Sequence, residues 1–222
     1  MMEELDWALC SSLAKMYHKR MTRHSRYHHF RVIHVTDAIS CPIKTLVLRL
    51  YDITPPCRML FYMKEGLEWE EKATRAIIES GRSKEYIQRR RVQSVTIAGT
   101  SFAFVKTPDY ESPGELIEIK WTRFKPAEIR NIFYAKLQIG RKIWGDDFSY
   151  PDEAFDLLVW PSWLYQVYGY LYWNTLRGEP HPDKLYIFSQ RGDHVDLIRI
   201  NFRDMRVWRK KFEARLNRIA KL

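Results

Sequence analysis

The chain has 222 residues and a formal net charge of +10, with 45% hydrophobic and 14% aromatic content. That is enough for one domain with a full core, and it excludes a disordered polar chain. A pI near 9.5 suits a polyanion better than a small acidic metabolite, because repeated phosphates reward many spread cations.

Residues 3–20 read as a helix, with Leu5, Ala8, Leu13, Met16 and Tyr17 as a rough apolar stripe. A basic stretch rich in histidine follows (Lys19, Arg20, Arg23, His24, Arg26, His28, His29) and reads as solvated or phosphate-facing. Residues 33–42 form a strand or turn leading into a helix that Pro42 would start and that runs through Leu50, with Pro55-Pro56 closing the region. A helix opens near Tyr62 and is stopped by Gly81. Arg89-Arg90-Arg91 feeds a strand over Val92–Ala98, Gly99 breaks it, and Thr100–Lys106 is a second strand. A polar turn with Pro108, Asp109, Pro113 and Gly114 returns the chain into Glu115-Leu-Ile-Glu118-Ile119-Lys120-Trp121.

In that third strand Glu118 and Lys120 share one face, while Ile117, Ile119 and Trp121 point into a core. A carboxylate to bind a dication and a lysine to orient water form the pairing a metal-dependent nuclease needs. A half-exposed strand with a surface ion pair is the other reading of the same residues. Helices follow at 126–143 and at 153–177, then a hairpin of 184–189 with 195–200, and a basic tail helix over 203–222. Helix followed by three successive antiparallel strands indicates an α/β fold. In the second of these helices Gln166 and Tyr170 stand one turn apart on one face, within an aromatic-rich segment that also reads as plain core.

No segment approaches the ~20 apolar residues of a membrane span, and the acidic start Met1-Met-Glu-Glu-Leu-Asp6 is not a signal peptide, so a cytoplasmic protein with no membrane partner is expected. Cys10, Cys41 and Cys57 are odd in number and widely spaced, which gives neither a disulfide framework nor a zinc pair.

Taken in order, these segments resemble the PD-(D/E)XK nuclease superfamily, in particular its RecB-like branch with the CRISPR-associated Cas-four exonucleases. The likeness runs from about residue 33 to 200 and rests on five segments: Asp37-Ala-Ile-Ser-Cys41-Pro42, Gly66-Leu-Glu-Trp-Glu70, Gly99-Thr-Ser-Phe102, Glu118-Ile-Lys120 and Gln166-Val-Tyr-Gly-Tyr170. The resemblance implies a restriction-endonuclease-like core, a mixed central β-sheet flanked by helices, with added N- and C-terminal helices. It implies one domain over 1–222, made of an N-terminal helix and basic segment (1–32), a core (33–200) and a basic C-terminal helix (201–222). It further implies a magnesium or manganese ion held by Glu70, Glu118 and the Ile119 carbonyl, with Glu118, Lys120, Gln166 and Tyr170 as catalytic groups.

The family's aspartate position falls on Phe102, and no carboxylate lies from residue 86 through 108, so a weakened metal site is expected. Asp109 and Glu111 in the turn could swing in, though a turn tip is normally too far from mid-strand. The three cysteines, none in the last third of the chain, are too few for the iron–sulfur cluster of the Cas-four enzymes. DNA, as single strands or ends, is the expected partner, contacted by Arg89, Arg90, Arg91, Arg209, Lys210 and Lys211. Three functions remain open: a deoxyribonuclease, a degenerate nuclease fold that binds nucleic acid without cutting, and an interaction subunit docking through its Arg-rich tail.

Overall fold

In the computed structural model, residues 11–16, 32–39, 57–144 and 151–221 are described. The expected helix over 42–50, the histidine-rich stretch, Cys10, Cys41 and Pro42 lie outside them; of the first expected helix, residues 11–16 are helical.

The described chain begins with a short strand β1 (Val32–His34) and helix α1 (Val35–Ile39), then a long helix α2 (Cys57–Glu79). Helix α2 starts directly after Pro55-Pro56, five residues earlier than Tyr62, because proline blocks the preceding chain from continuing a helix but is tolerated at its mouth. Strands β2 (Arg91–Ile97) and β3 (Thr100–Lys106) form an antiparallel hairpin. Its two turn residues, Ala98 and Gly99, both have positive φ, the backbone a tight two-residue hairpin demands. Strand β1 adds to β3 in parallel, giving a three-stranded sheet in the order β1-β3-β2.

A second sheet holds β4 (Tyr110–Ser112), β5 (Glu115–Thr122), β6 (Lys184–Arg191) and β7 (His194–Arg199) in that order. Here β5 pairs antiparallel with β4 and parallel with β6. The expected third antiparallel strand therefore does not ladder onto β3; the chain first makes the short β4, which folds back on β5. A parallel partner needs a crossover. It is supplied by α3 (Pro126–Trp144), α4 (Asp152–Leu157) and α5 (Pro161–Arg177).

The single helix expected over 153–177 is two helices. Leu158 turns left-handed at φ 50° and Pro161 opens α5, so the ladder breaks between them. The tail helix α6 (Met205–Ala220) is capped by Asp204, whose carboxylate accepts from the Arg206 and Val207 amides.

Strand β5 is buried on both faces. Leu116 joins a core with Phe104, Leu164, Trp173 and Phe212, while Ile117 and Ile119 pack under Trp69, Ala73 and Ile77 of α2. This is an α/β fold with mixed sheets flanked by helices. Cys57 is disulfide-bonded, a pairing that the odd number and wide spacing of the cysteines did not indicate. Among the described residues no helix is long and apolar enough to cross a membrane.

Candidate active site

Strand alternation puts Leu116, Glu118 and Lys120 on the face of β5 that α5 covers. Glu118 is 2% exposed, which removes the reading of a surface ion pair on a half-exposed strand. Its Oε1 accepts from Lys120 Nζ at 2.6 Å and from Gln166 Nε2 at 2.5 Å. Its Oε2 is buried and has no hydrogen-bond partner. One oxygen is thus saturated and the other is held ready.

Asp109 completes the cluster, closer to mid-strand than a turn tip would be. Its Oδ2 accepts from the Ile119 amide at 2.6 Å. The β4–β5 register explains why: Ser112 faces Glu115, Glu111 faces Leu116 and Tyr110 faces Ile117, so one more step puts residue 109 opposite Glu118. Asp109 is therefore not at the turn tip, which is Pro113-Gly114, but beside mid-strand. Counting back from the two-residue turn Pro113-Gly114 gives the correct pairing.

Phe102 lies on β3, in the other sheet from Glu118. It pairs with Val95 in the β2–β3 hairpin and is buried in the aromatic core.

The electrostatics are those of a site short of positive charge. Burial, then the neighbouring Glu118 carboxylate, pushes the Asp109 carboxyl well above the usual carboxylate range, although Lys120 and the Ile119 amide oppose the shift. Burial alone would lower the Lys120 ammonium, but Glu118 and Asp109 outweigh it and its pKa is raised. Lys120 stays charged at neutral pH. It keeps 19% of its side chain exposed, so the site opens to solvent at the lysine.

Glu70 stands at the edge of the site. Its carboxylate accepts from Gln88 Nε2 at 2.8 Å, and its charge is felt at both Asp109 and Lys120. Gln88, at φ 45°, also donates its backbone amide to the Asp109 carbonyl, which draws the 86–91 segment alongside the cluster.

Gln166 therefore bonds Glu118 directly. Tyr170 is 1% exposed, accepts from Gln166 Nε2 at 2.8 Å and donates to the Thr107 carbonyl at 3.2 Å. Burial, then the charges of Glu118 and Asp109, raises its pKa well above the ordinary tyrosine value. A buried, doubly bonded phenol is not free to stack on a base.

Ile119 sits where β4 has ended, and a strand residue projects its N–H and C=O to the same side, so its carbonyl faces the Asp109 side. Ser189, the register partner of Lys120, has a buried hydroxyl with no hydrogen-bond partner.

The basic residues divide into two groups. Arg89 and Arg90 are exposed beside Gln88, and Arg91 pairs with Glu179 at 2.8 Å. Arg209, Lys210 and Lys211 are exposed on α6, with Arg209 paired to Glu213. Helix α6 packs on Tyr165, Tyr168 and Tyr172, roughly opposite the Gln166–Tyr170 stripe of α5, so the structure does not bring the tail cations to Glu118. Among the described residues, no three His, Cys, Asp or Glu side chains converge as a metal cluster. A cation here would draw on two carboxylates and a backbone carbonyl.

No protein-family model matches the chain, and no curated protein does. Among solved structures, one titled "Crystal structure of SSO0001" superposes with a TM-score of 0.58. It is 13% identical and the match covers 97% of this chain and 87% of that one. At that identity the likeness speaks to the fold: an α/β protein built on mixed sheets flanked by helices.

Proposed function

We propose that the chain is a magnesium- or manganese-dependent deoxyribonuclease of the PD-(D/E)XK, RecB-like kind, acting on DNA phosphodiesters. The observation that carries this reading is Oε2 of Glu118, buried without a hydrogen-bond partner in a cluster with Asp109. A buried carboxylate oxygen with no donor is costly unless a cation meets it. Asp109, Glu118 and the Ile119 carbonyl are hard oxygen donors, the set a small dication prefers. When bound, such an ion supplies Lewis-acid charge to the phosphate and lowers the pKa of water.

The residues of the chain account for the rest. Lys120 spends one hydrogen bond on Glu118 and has two N–H donors left. These orient the attacking water and offset the negative charge that develops on the phosphoryl oxygens. Gln166 fixes the Glu118 carboxylate so that Oε2 is the oxygen presented. Tyr170 braces Gln166 and the Thr107 carbonyl and does not touch the substrate. The net charge of +10 and the cationic 89–91 segment beside Gln88 suit a polyanionic strand.

The reading of a degenerate fold that binds without cutting drew on Phe102, and Asp109 beside Glu118 removes that motive. The test is cleavage of labelled single- and double-stranded DNA in magnesium, manganese or chelator. The expected result is cleavage with either metal, none with chelator, and a loss of about a hundredfold or more in Glu118→Ala. Binding of DNA with no metal-dependent cleavage by the wild-type chain would establish the degenerate alternative instead.

A further inference from the structure

Lys106 is fully buried, and the chemistry proposed above does not use it. Its ammonium donates to Glu111 Oε1 at 2.7 Å and to Asn174 Oδ1, and it stands 4.5 Å from the centre of the Trp173 ring. Asn174 in turn donates to the same Glu111 oxygen at 3.1 Å. A lysine in such a place loses its hydration, and an apolar side chain of similar length commonly serves stability as well or better. What the ion pair offers beyond filling is a fixed geometry.

That geometry encloses one segment. Lys106 ends β3 and Tyr110 opens β4, so only Thr107, Pro108 and Asp109 lie between the strands. The Lys106–Glu111 contact joins the two ends of this loop, and the Tyr170 hydroxyl holds its middle through the Thr107 carbonyl. Asp109 and Glu111 are two residues apart, so both side chains leave β4 on the side of Glu118. Without Lys106, Glu111 would be a third carboxylate on this face.

We propose that Lys106, with Glu111 and Asn174, is a positioning device that holds Asp109 opposite Glu118 in the one orientation where the two carboxylates can share a cation. The proposal rests on the nuclease reading for its metal consequence only; the orientation of Asp109 is a property of the chain alone.

The test uses the full-length protein and the double variant Lys106→Met/Glu111→Gln, which removes both charges and leaves neither buried ion unpaired. Two quantities are read below the melting temperature. The first is hydrogen exchange of the Ile119 amide, which donates to Asp109 and needs no metal. The second is manganese affinity by calorimetry, with Asp109→Ala as the reference for a lost site. The expected result is loss of Ile119 protection together with manganese affinity weakened by about ten- to a hundredfold, as for other groups that orient a metal ligand. If the double variant does not fold, Asn174→Ala removes one arm of the device, and the same two readouts decide.

A folded variant with lower stability but unchanged Ile119 protection and manganese affinity overturns the proposal, because a merely structural role moves only stability. If the wild-type chain binds no manganese yet the variant loses Ile119 protection, the positioning role stands and the nuclease reading fails.

Discussion

Gly169 lies in the middle of α5, three residues beyond Gln166, where helix α5 meets α1 and α6. A methyl group at this position would lie 2.5 Å from Val35 Cγ1 and 2.8 and 2.9 Å from two Phe212 ring carbons. Carbon atoms rest at about 3.5–4.0 Å, so the overlap is close to 1 Å on two sides. Val35 and Phe212 are 1% and 0% exposed, which leaves no solvent into which either can swing. Overpacking of this kind costs about 1–3 kcal/mol, and two simultaneous clashes belong at the upper end.

Against it stands the better helix propensity of alanine, worth about 1 kcal/mol. The net loss for Gly169→Ala is then about 2 kcal/mol, a fall in melting temperature of about 4–8 °C for a chain of this length. Thermal unfolding followed by circular dichroism, in chelator, measures it. The sign decides the matter: if the variant melts higher than wild type, as an exposed helical glycine replaced by alanine would, the close packing of α1, α5 and α6 around Gly169 is refuted.

Asp109→Asn is expected to stabilise the metal-free protein at neutral pH. A carboxyl whose folded pKa is raised contributes stability below its unfolded value, ~3.9, and loses it as pH rises through the folded value. Wild type and variant should therefore match near pH 3 and diverge at pH 7 with the variant ahead. Urea midpoints in chelator at both values check this, and a variant less stable at pH 7 contradicts the crowding of Asp109 by Glu118. Phe102→Asp should destabilise the fold by about 3–5 kcal/mol, since it deletes a buried ring and places a charge in the core, and it should leave manganese affinity unchanged. A gain in affinity in calorimetric titration would show that residue 102 reaches the metal after all.

The parts of the fold legible in the sequence were those whose pattern is local. The β2–β3 hairpin follows from Gly99 between alternating residues, and Gln166 and Tyr170 share a face because they are one turn apart. The E-x-K pattern placed Glu118 and Lys120 on one face, where the structure has them 2.6 Å apart. One miss was local and the others came from non-local pairing. The break at Leu158 was written in Pro161 but hidden by the unbroken aromatic run around it. Asp109 reads from the sequence as part of a turn at the end of the strand, whereas the three-residue β4 that follows it folds the aspartate onto the middle of β5. The Lys106–Glu111–Asn174 contacts bring together residues from two strands and a helix up to 68 positions apart, which no periodicity announces.

The sheet-facing stripe of α5 carries Gln166, Tyr170 and Asn174 at successive turns, each bonded to a group on the strands or on the loop between them. The two amides at its ends grip Glu118 and Glu111 about 12 Å apart along the helix axis. This divides the crossover into stretches that evolution can and cannot lengthen. One residue inserted within 166–174 turns everything beyond it by about 100°, so one grip survives only if the other is given up. The same insertion between α3 and α4 leaves both grips intact, and homologues should vary in length there while keeping the eight-residue interval unchanged.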